Sequence, residues 1–81
     1  MKRAFVLITT ELGAEAEVLD SLEEISEVVE AHRVLGFYSI FIRVEAETMQ
    51  ELKEIVTQRI EPLNKVQATT TMICLDPESD G

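Results

Sequence analysis

Two short segments of the chain combine residue types that could bind a small molecule. Residues 36–39 (Gly-Phe-Tyr-Ser) place a glycine, an aromatic pair and a hydroxyl together, so the main chain could approach a ligand closely there. Residues 67–71 (Gln-Ala-Thr-Thr-Thr) contain three consecutive threonines, whose hydroxyls can bind a small zwitterion without contributing a charge. Composition alone favours a plainer interpretation, because turns need glycine and strands favour threonine.

Catalytic chemistry has little support in the sequence. The one histidine, His32, falls on a predicted edge strand, and we interpret it as a surface residue rather than a general base. The one cysteine, Cys74, has no basic neighbour in sequence, which favours a small buried hydrophobe over a nucleophile. A single cysteine excludes an intramolecular disulfide, and with one histidine it cannot form a Cys/His metal cluster within one chain. We therefore predict a protein that is not an enzyme, with no catalytic residue, no metal and no cofactor.

The charge balance argues against a nucleic-acid partner. The 81 residues carry 16 acidic and 7 basic side chains, a formal net charge of -9, and no Lys or Arg lies between Arg3 and Arg33. Neutralising a phosphate backbone requires clustered basic residues, so we expect no direct binding of DNA or RNA and none of an anionic membrane surface. No segment approaches the roughly 20 apolar residues that span a bilayer, and we expect a cytoplasmic protein.

Hydrophobic periodicity predicts the elements that would position the two segments. Residues 4–10 form a short apolar strand, and after Gly13 apolar residues recur at helical spacing with an acidic outer face. Residues 26–35 and 37–46 have strand character and are joined at Gly36, which predicts a hairpin with a tight or bulged turn. Alternation in the second of these strands places five residues on one face: Tyr38, Ile40, Ile42, Val44 and Ala46.

The second half of the chain repeats the helix and strand pattern. Thr48 and Glu51 match a capping box at the start of a second helix, and Pro62 fits its end, since proline cannot continue a helix interior. Residues 66–75, which include the threonines, form the last predicted strand.

This order of elements predicts an α+β domain of the ferredoxin-like βαββαβ type, with a four-stranded antiparallel sheet and both helices on one face. We expect one domain over residues 1–76 and a loose polar tail over residues 77–81. The uncovered face carries Phe5, Leu7 and Phe41, more apolar surface than a soluble monomer usually exposes. These three residues are the predicted dimer interface, on which a second copy would pack sheet to sheet, as in dimeric α/β barrels.

Taken together, these features resemble the effector-binding domain of the Lrp/AsnC family of transcriptional regulators, also called the domain for regulation of amino-acid metabolism (RAM domain). The resemblance covers residues 3–75. Four features carry it: residues 4–8 (Ala-Phe-Val-Leu-Ile), Gly13, residues 34–40 (Val-Leu-Gly-Phe-Tyr-Ser-Ile) and residues 66–71 (Val-Gln-Ala-Thr-Thr-Thr).

The resemblance implies a function and an assembly. Domains of this family bind free amino acids at the contact between dimers, and their sheet-to-sheet dimers assemble further, commonly as tetramers of dimers. Full-length members carry an N-terminal helix-turn-helix, and no segment that could form one precedes the first strand of this sequence. The resemblance therefore implies a stand-alone sensor that forms homodimers and higher oligomers and acts on a full-length regulator of the same family.

The resemblance also assigns ligand binding to five residues: Gly36, Tyr38, Ser39, Thr69 and Thr71. The hairpin motif of the family reads Gly-any-Tyr-Asp and its last-strand motif reads Val-any-any-Thr-any-Thr. This sequence departs from the pattern at two positions. Ser39 stands where the family has Asp, which removes a carboxylate that could hold an ammonium group, and Lys65 replaces the usual Gly before Val66.

Three alternatives remain open at this point. An ACT-like amino-acid-binding domain shares the βαββαβ order but sets its sheets side by side. A small dimeric α/β-barrel enzyme, of the monooxygenase or isomerase type, would need an enclosed pocket, for which His32, Tyr38 and Ser39 are weak candidates. A purely structural oligomer would bind no ligand.

Overall fold

Strands and helices follow the predicted order through residues 1–75, the part of the chain that the computed structural model describes. The elements are β1 (Lys2–Thr10), α1 (Glu15–Glu23), β2 (Val28–Arg33), β3 (Ile40–Ala46), α2 (Met49–Ile55), a π-helical turn (Val56–Ile60) and β4 (Val66–Ile73). The strands lie in the order β2-β3-β1-β4, and each neighbouring pair is antiparallel. The ferredoxin-like arrangement is therefore confirmed, while the tail predicted for residues 77–81 lies outside the described residues.

Alternation along the central strands decides which face of the sheet is buried. In β1, Ala4, Val6 and Ile8 are fully buried and lie opposite three equally buried residues of β3. Because successive side chains of a strand point to opposite faces, Phe5 and Leu7 lie on the other face. The helical side of the core is filled by Ala14, Val18, Leu22, Ile25, Leu52, Ile55, Val56 and Ile60. Burying one large aliphatic side chain contributes about 1.5–3 kcal/mol, so this layer holds the helices on the sheet.

A capping box begins α2, as the sequence predicts. Thr48 has an extended backbone, and its hydroxyl accepts the Glu51 N–H at 3.1 Å. The Glu51 carboxylate in turn accepts the Thr48 N–H at 3.3 Å. The two bonds satisfy N–H groups that have no partner within the helix.

The second helix ends in a π-helical turn, in which the Glu61 N–H donates to the Val56 carbonyl at 2.9 Å. In a regular α-helix, Arg59 would lie on the same face as Val56, three residues before it, and therefore on the buried face of the helix. The wider turn leaves Arg59 outside the core, where its guanidinium donates to the Glu27 carboxylate at 3.1 Å. Pro62 follows directly after Glu61, close to where the sequence predicts the end of the helix. No helix within residues 1–75 is long and apolar enough to cross a membrane.

The predicted hairpin exists, but its tight turn at Gly36 is wrong. Residues 34–39 form a loop between β2 and β3, and both strands are shorter than predicted. Leu35 is 104% exposed and Phe37 is 99% exposed. These apolar side chains continue the strand pattern in the sequence, but they lie outside the sheet. Gly36 adopts a φ of 152°, a positive value that L side chains rarely take.

Lys65 also has a positive φ, 73°, at the position where the family pattern has glycine. A left-handed backbone costs a residue with a Cβ about 1–2 kcal/mol, and β-branched side chains tolerate it worst. We expect Lys65→Val to be less stable than Lys65→Gly by about 1–2 kcal/mol in chemical denaturation. Both variants lose the ion pair between Lys65 and Glu17. The difference between their stabilities therefore reports the cost of the backbone conformation at this position. Equal stability of the two variants would contradict the left-handed assignment.

Candidate functional site

The tyrosine of the hairpin loop reaches across the sheet to the last strand. Its hydroxyl lies 3.0 Å from the Thr70 hydroxyl, and Thr70 pairs with Leu7 of β1, on the face that the helices leave open. The sequence places Tyr38 on the same face as Ile40, and this prediction is wrong. The reason is that β3 begins at Ile40, so Tyr38 lies in the loop, where strand alternation does not apply.

Ser39 closes the loop and fixes it to the central strand. Its N–H donates to the Ile8 carbonyl at 2.9 Å, and its own carbonyl accepts the Val34 N–H at 2.9 Å. Gly36, by contrast, is exposed, and a Cβ built on it would meet nothing within 4 Å. The loop is therefore anchored at Ser39 and open around Gly36, where a ligand or another molecule could approach its main chain.

The two candidate threonines of β4 lie on the helix side of the sheet. Thr69 and Thr71 pair with Ile8 and Val6, which are buried beneath the helices. Thr71 lines an apolar groove of about 260 Å³ between α2 and β4, and the Thr69 hydroxyl donates to a carboxylate oxygen of Glu61 at 3.4 Å.

The five candidate ligand residues therefore do not converge on one point within a single chain. Ser39 adjoins Ile8 from the β3 side, and Thr69 adjoins it from the β4 side. Two strand spacings, about 10 Å, separate the two positions. Ligand binding by Gly36, Tyr38, Ser39, Thr69 and Thr71 stays a prediction.

An open polar depression of about 410 Å³ lies where β4 begins. It is lined by Glu61, Val66, Gln67, Ala68 and Thr69. The sheet register shifts here from Thr9 opposite Ala68 to Thr10 opposite Val66, which leaves Gln67 without a partner residue. A β-bulge of this kind redirects a side chain. Sequence reasoning missed Glu61, because nothing distinguishes it from the other acidic residues, and it did not single out Gln67, because a bulge has no signal in a threonine-rich strand.

Aromatic and aliphatic side chains occupy the open face of the sheet. The rings of Phe5 and Phe41 are stacked, with centroids 5.7 Å apart, and Leu7 pairs directly with Phe41. His32 stacks on the other side of Phe41 at 6.4 Å, and Met72, 47% exposed, lies opposite Phe5 on β4. The structure thus places the three predicted interface residues together on the face that the helices do not cover.

A charged cluster borders this apolar face. Arg43 donates to Glu30 at 3.0 Å across the strands and to Glu45 at 2.9 Å along its own strand. The His32 Nε2 lies 3.0 Å from Glu30. The hydrogen bond with His32, followed by the hydrogen bond and charge of Arg43, lowers the pKa of the Glu30 carboxyl. The cluster keeps the β2 side of the open face polar while the β1 side is apolar.

The described residues provide no arrangement typical of a metal site. Among residues 1–75, no group of three or more His, Cys, Asp or Glu side chains could hold a metal ion. His32 is exposed beside Glu30, and Cys74 is half-buried with its main chain bonded to Arg3.

Comparison with known proteins identifies the family. Residues 3–80 match the family model of the Lrp/AsnC ligand binding domain. The chain belongs to the Lrp/AsnC family. The domain is 37% identical over 59 residues to the regulatory protein AsnC of Haemophilus influenzae, a match that covers 73% of this chain and 39% of that protein. The Lrp/AsnC chain thus spans about two fifths of the length of the curated relatives it matches.

Solved structures agree with this assignment. The crystal structure of FFRP-DM1 superposes with a TM-score of 0.89 at 37% identity, covering 93% of this chain and 100% of that chain. The structure of Escherichia coli AsnC gives a TM-score of 0.86 at 29% identity, covering 95% of this Lrp/AsnC chain and 52% of the other. The family resemblance seen in the sequence is therefore confirmed, and it favours an Lrp/AsnC ligand-binding domain over the ACT-like alternative.

Proposed function

We propose that this Lrp/AsnC domain is a sensing and assembly module that binds an amino acid or a related small metabolite and forms homodimers that associate further. The match of residues 3–80 to a ligand-binding domain carries this proposal. A module of this kind would act in the cytoplasm, through contact with full-length Lrp/AsnC regulators. With a net charge of -9 on the chain, we propose that it does not bind DNA or RNA directly.

The open face supports the proposed homodimer. Phe5, Leu7 and Phe41 are only partly buried, and Met72 extends their patch onto β4. An apolar patch with a polar border is typical of a protein interface. A second copy would supply an identical face, so two sheets could pack with aromatic side chains between them and with the charged cluster around Arg43 at the rim.

We further propose that the domain acts by binding rather than by catalysis. His32 lies on the open face and is exposed, the Tyr38 hydroxyl lies 3.0 Å from the Thr70 hydroxyl, and the main chain of Ser39 bonds to Ile8 and Val34. These residues do not surround an enclosed pocket. A general base and a reacting group within hydrogen-bond reach of each other would be needed for the enzyme alternative.

A thermal-shift screen against the twenty L-amino acids, with light scattering in parallel, tests the sensing function. We expect at least one amino acid to raise the unfolding midpoint, and Thr69→Ala and Thr71→Ala to reduce that shift, since each removes a hydroxyl donor from the proposed site. Ser26→Ala, which removes an exposed hydroxyl near the opposite end of the sheet, is the matched control. If no amino acid shifts the midpoint, amino-acid sensing is wrong, and a related metabolite or a purely structural oligomer is the better description.

A further inference from the structure

Glu61 carries an exposed carboxylate beside the open polar depression where β4 begins. It follows the π-helical turn, and its Oε2 accepts the Thr69 hydroxyl at 3.4 Å. We propose that Glu61 is the specificity-determining residue that receives the ammonium group of the ligand, with Gln67 and the main chain of β4 binding the ligand's polar groups beside it. This inference rests on the proposed sensing function and adds the residue that selects for a primary ammonium.

The charge of Glu61 is available to a ligand. Within residues 1–75, no Lys, Arg or His lies within ion-pair distance of this carboxylate. Lys65, the basic residue nearest in sequence, donates instead to Glu17 at 2.9 Å. An ammonium placed beside Glu61 and Thr69 would therefore be the first cation to pair with that carboxylate.

The outer edge of β4 offers main-chain N–H groups next to Glu61. The Cys74 N–H donates to the Arg3 carbonyl of β1. Main-chain groups of an antiparallel strand point alternately toward and away from its neighbour, so those of Thr69 and Thr71 point away from β1, toward the side of β4 on which residues 1–75 place no further strand. A ligand carboxylate could accept these N–H groups while its ammonium donates to Glu61.

Within one chain, Glu61 rather than Ser39 adjoins the threonines of β4. Ser39 and Thr69 of one chain are separated by about two strand spacings, roughly 10 Å, whereas the Glu61 carboxylate is bonded directly to the Thr69 hydroxyl. The bulge at Gln67 adds a side-chain amide to the same open depression of about 410 Å³. Glu61 thus supplies, next to the threonines, the negative charge that the family pattern has at the position of Ser39.

Calorimetric titration of the full chain with each of the twenty L-amino acids, and with the N-acetyl derivative of each one that binds, tests the inference. We expect wild type to prefer the free amino acid over its N-acetyl derivative, since a charge-assisted hydrogen bond is lost on acetylation. Glu61→Gln should weaken binding of the free amino acid by about tenfold and leave the N-acetyl derivative unchanged. The matched control is Glu23→Gln, an exposed acid at the end of α1, which should change neither affinity.

The possible outcomes separate the two proposals. If wild type binds none of the twenty amino acids, amino-acid sensing fails, and the role of Glu61 fails with it. If wild type binds and Glu61→Gln binds equally well, only the role of Glu61 is overturned. Equal weakening by Glu61→Gln and Glu23→Gln would also overturn it, because the effect would then come from the net charge of the chain.

Discussion

Phe41→Glu is expected to convert the proposed homodimer into a monomer, with an increase in Kd of at least about a hundredfold. Phe41 lies between Phe5 and His32 on the open face, so in a symmetric dimer its burial occurs twice. Burying each copy is worth about 1.5–3 kcal/mol, and a factor of ten in Kd corresponds to about 1.4 kcal/mol. The carboxylate adds a further penalty, because an unpaired charge would be buried. Sedimentation velocity over a concentration series measures the change.

A second phenylalanine provides the matched control for this experiment. Phe37 is 99% exposed in the hairpin loop and lies off the sheet face, so Phe37→Glu should leave the dimer constant unchanged. Neither residue belongs to the buried core, and both variants should keep the circular dichroism of the wild type. An undiminished dimer in Phe41→Glu would show that copies do not meet through this face.

Leu22→Ala is expected to lower the free energy of unfolding by about 2–5 kcal/mol. Leu22 is fully buried between α1 and the sheet, so its truncation removes apolar burial and leaves a cavity. For a small domain this is a large part of a total stability of about 5–15 kcal/mol. Urea denaturation at one fixed protein concentration measures the loss, since the stability of a dimer depends on concentration.

Leu12→Ala is the matched control, because it makes the same substitution at an exposed position and so separates the effect of burial from that of residue type. Leu12 is 100% exposed in the loop between β1 and α1, and Leu12→Ala should change stability by no more than about 0.5 kcal/mol. Comparable losses in Leu12→Ala and Leu22→Ala would contradict the assignment of Leu22 to the core.

The fold was predictable because its strongest signals are local. The capping box at Thr48 and Glu51 depends on residues three apart, and it forms as expected. Alternation in β1 and β3 depends only on the period of a strand, and it places Phe5 and Phe41 opposite the buried side chains. Both patterns can be recognised from neighbouring residues alone, without information about distant parts of the sequence.

The hairpin was harder to predict, because apolar character and strand pairing are different properties. Leu35 and Phe37 extend the apolar pattern of the strands on both sides of Gly36, yet they are fully exposed in the loop. Whether a residue joins the sheet depends on the main-chain partner that β1 offers. Here Ile8 is the last residue of β1 to pair with β3, opposite Ile40, and Tyr38 beyond it turns toward Thr70.

The candidate site depends on contacts between distant parts of the chain, and the sequence identified only part of it. Three threonines in a row predict a polar strand, but only the register with β1 shows that Thr70 lies on one face and Thr69 on the other. The place of Glu61 follows from the π-helical turn that precedes it. The bulge that leaves Gln67 unopposed is likewise a property of two strands together.

The two outer strands bear on how copies of this chain can combine. Exposed edges of a sheet invite a neighbouring molecule to add a strand, and charged side chains and bulges discourage it. The β2 edge presents Glu30, His32 and Arg33 to solvent, and the bulge at Gln67 interrupts the β4 edge. Open-ended addition of strands into a fibre is therefore disfavoured at both edges, which leaves the open face as the surface through which the proposed dimer would form.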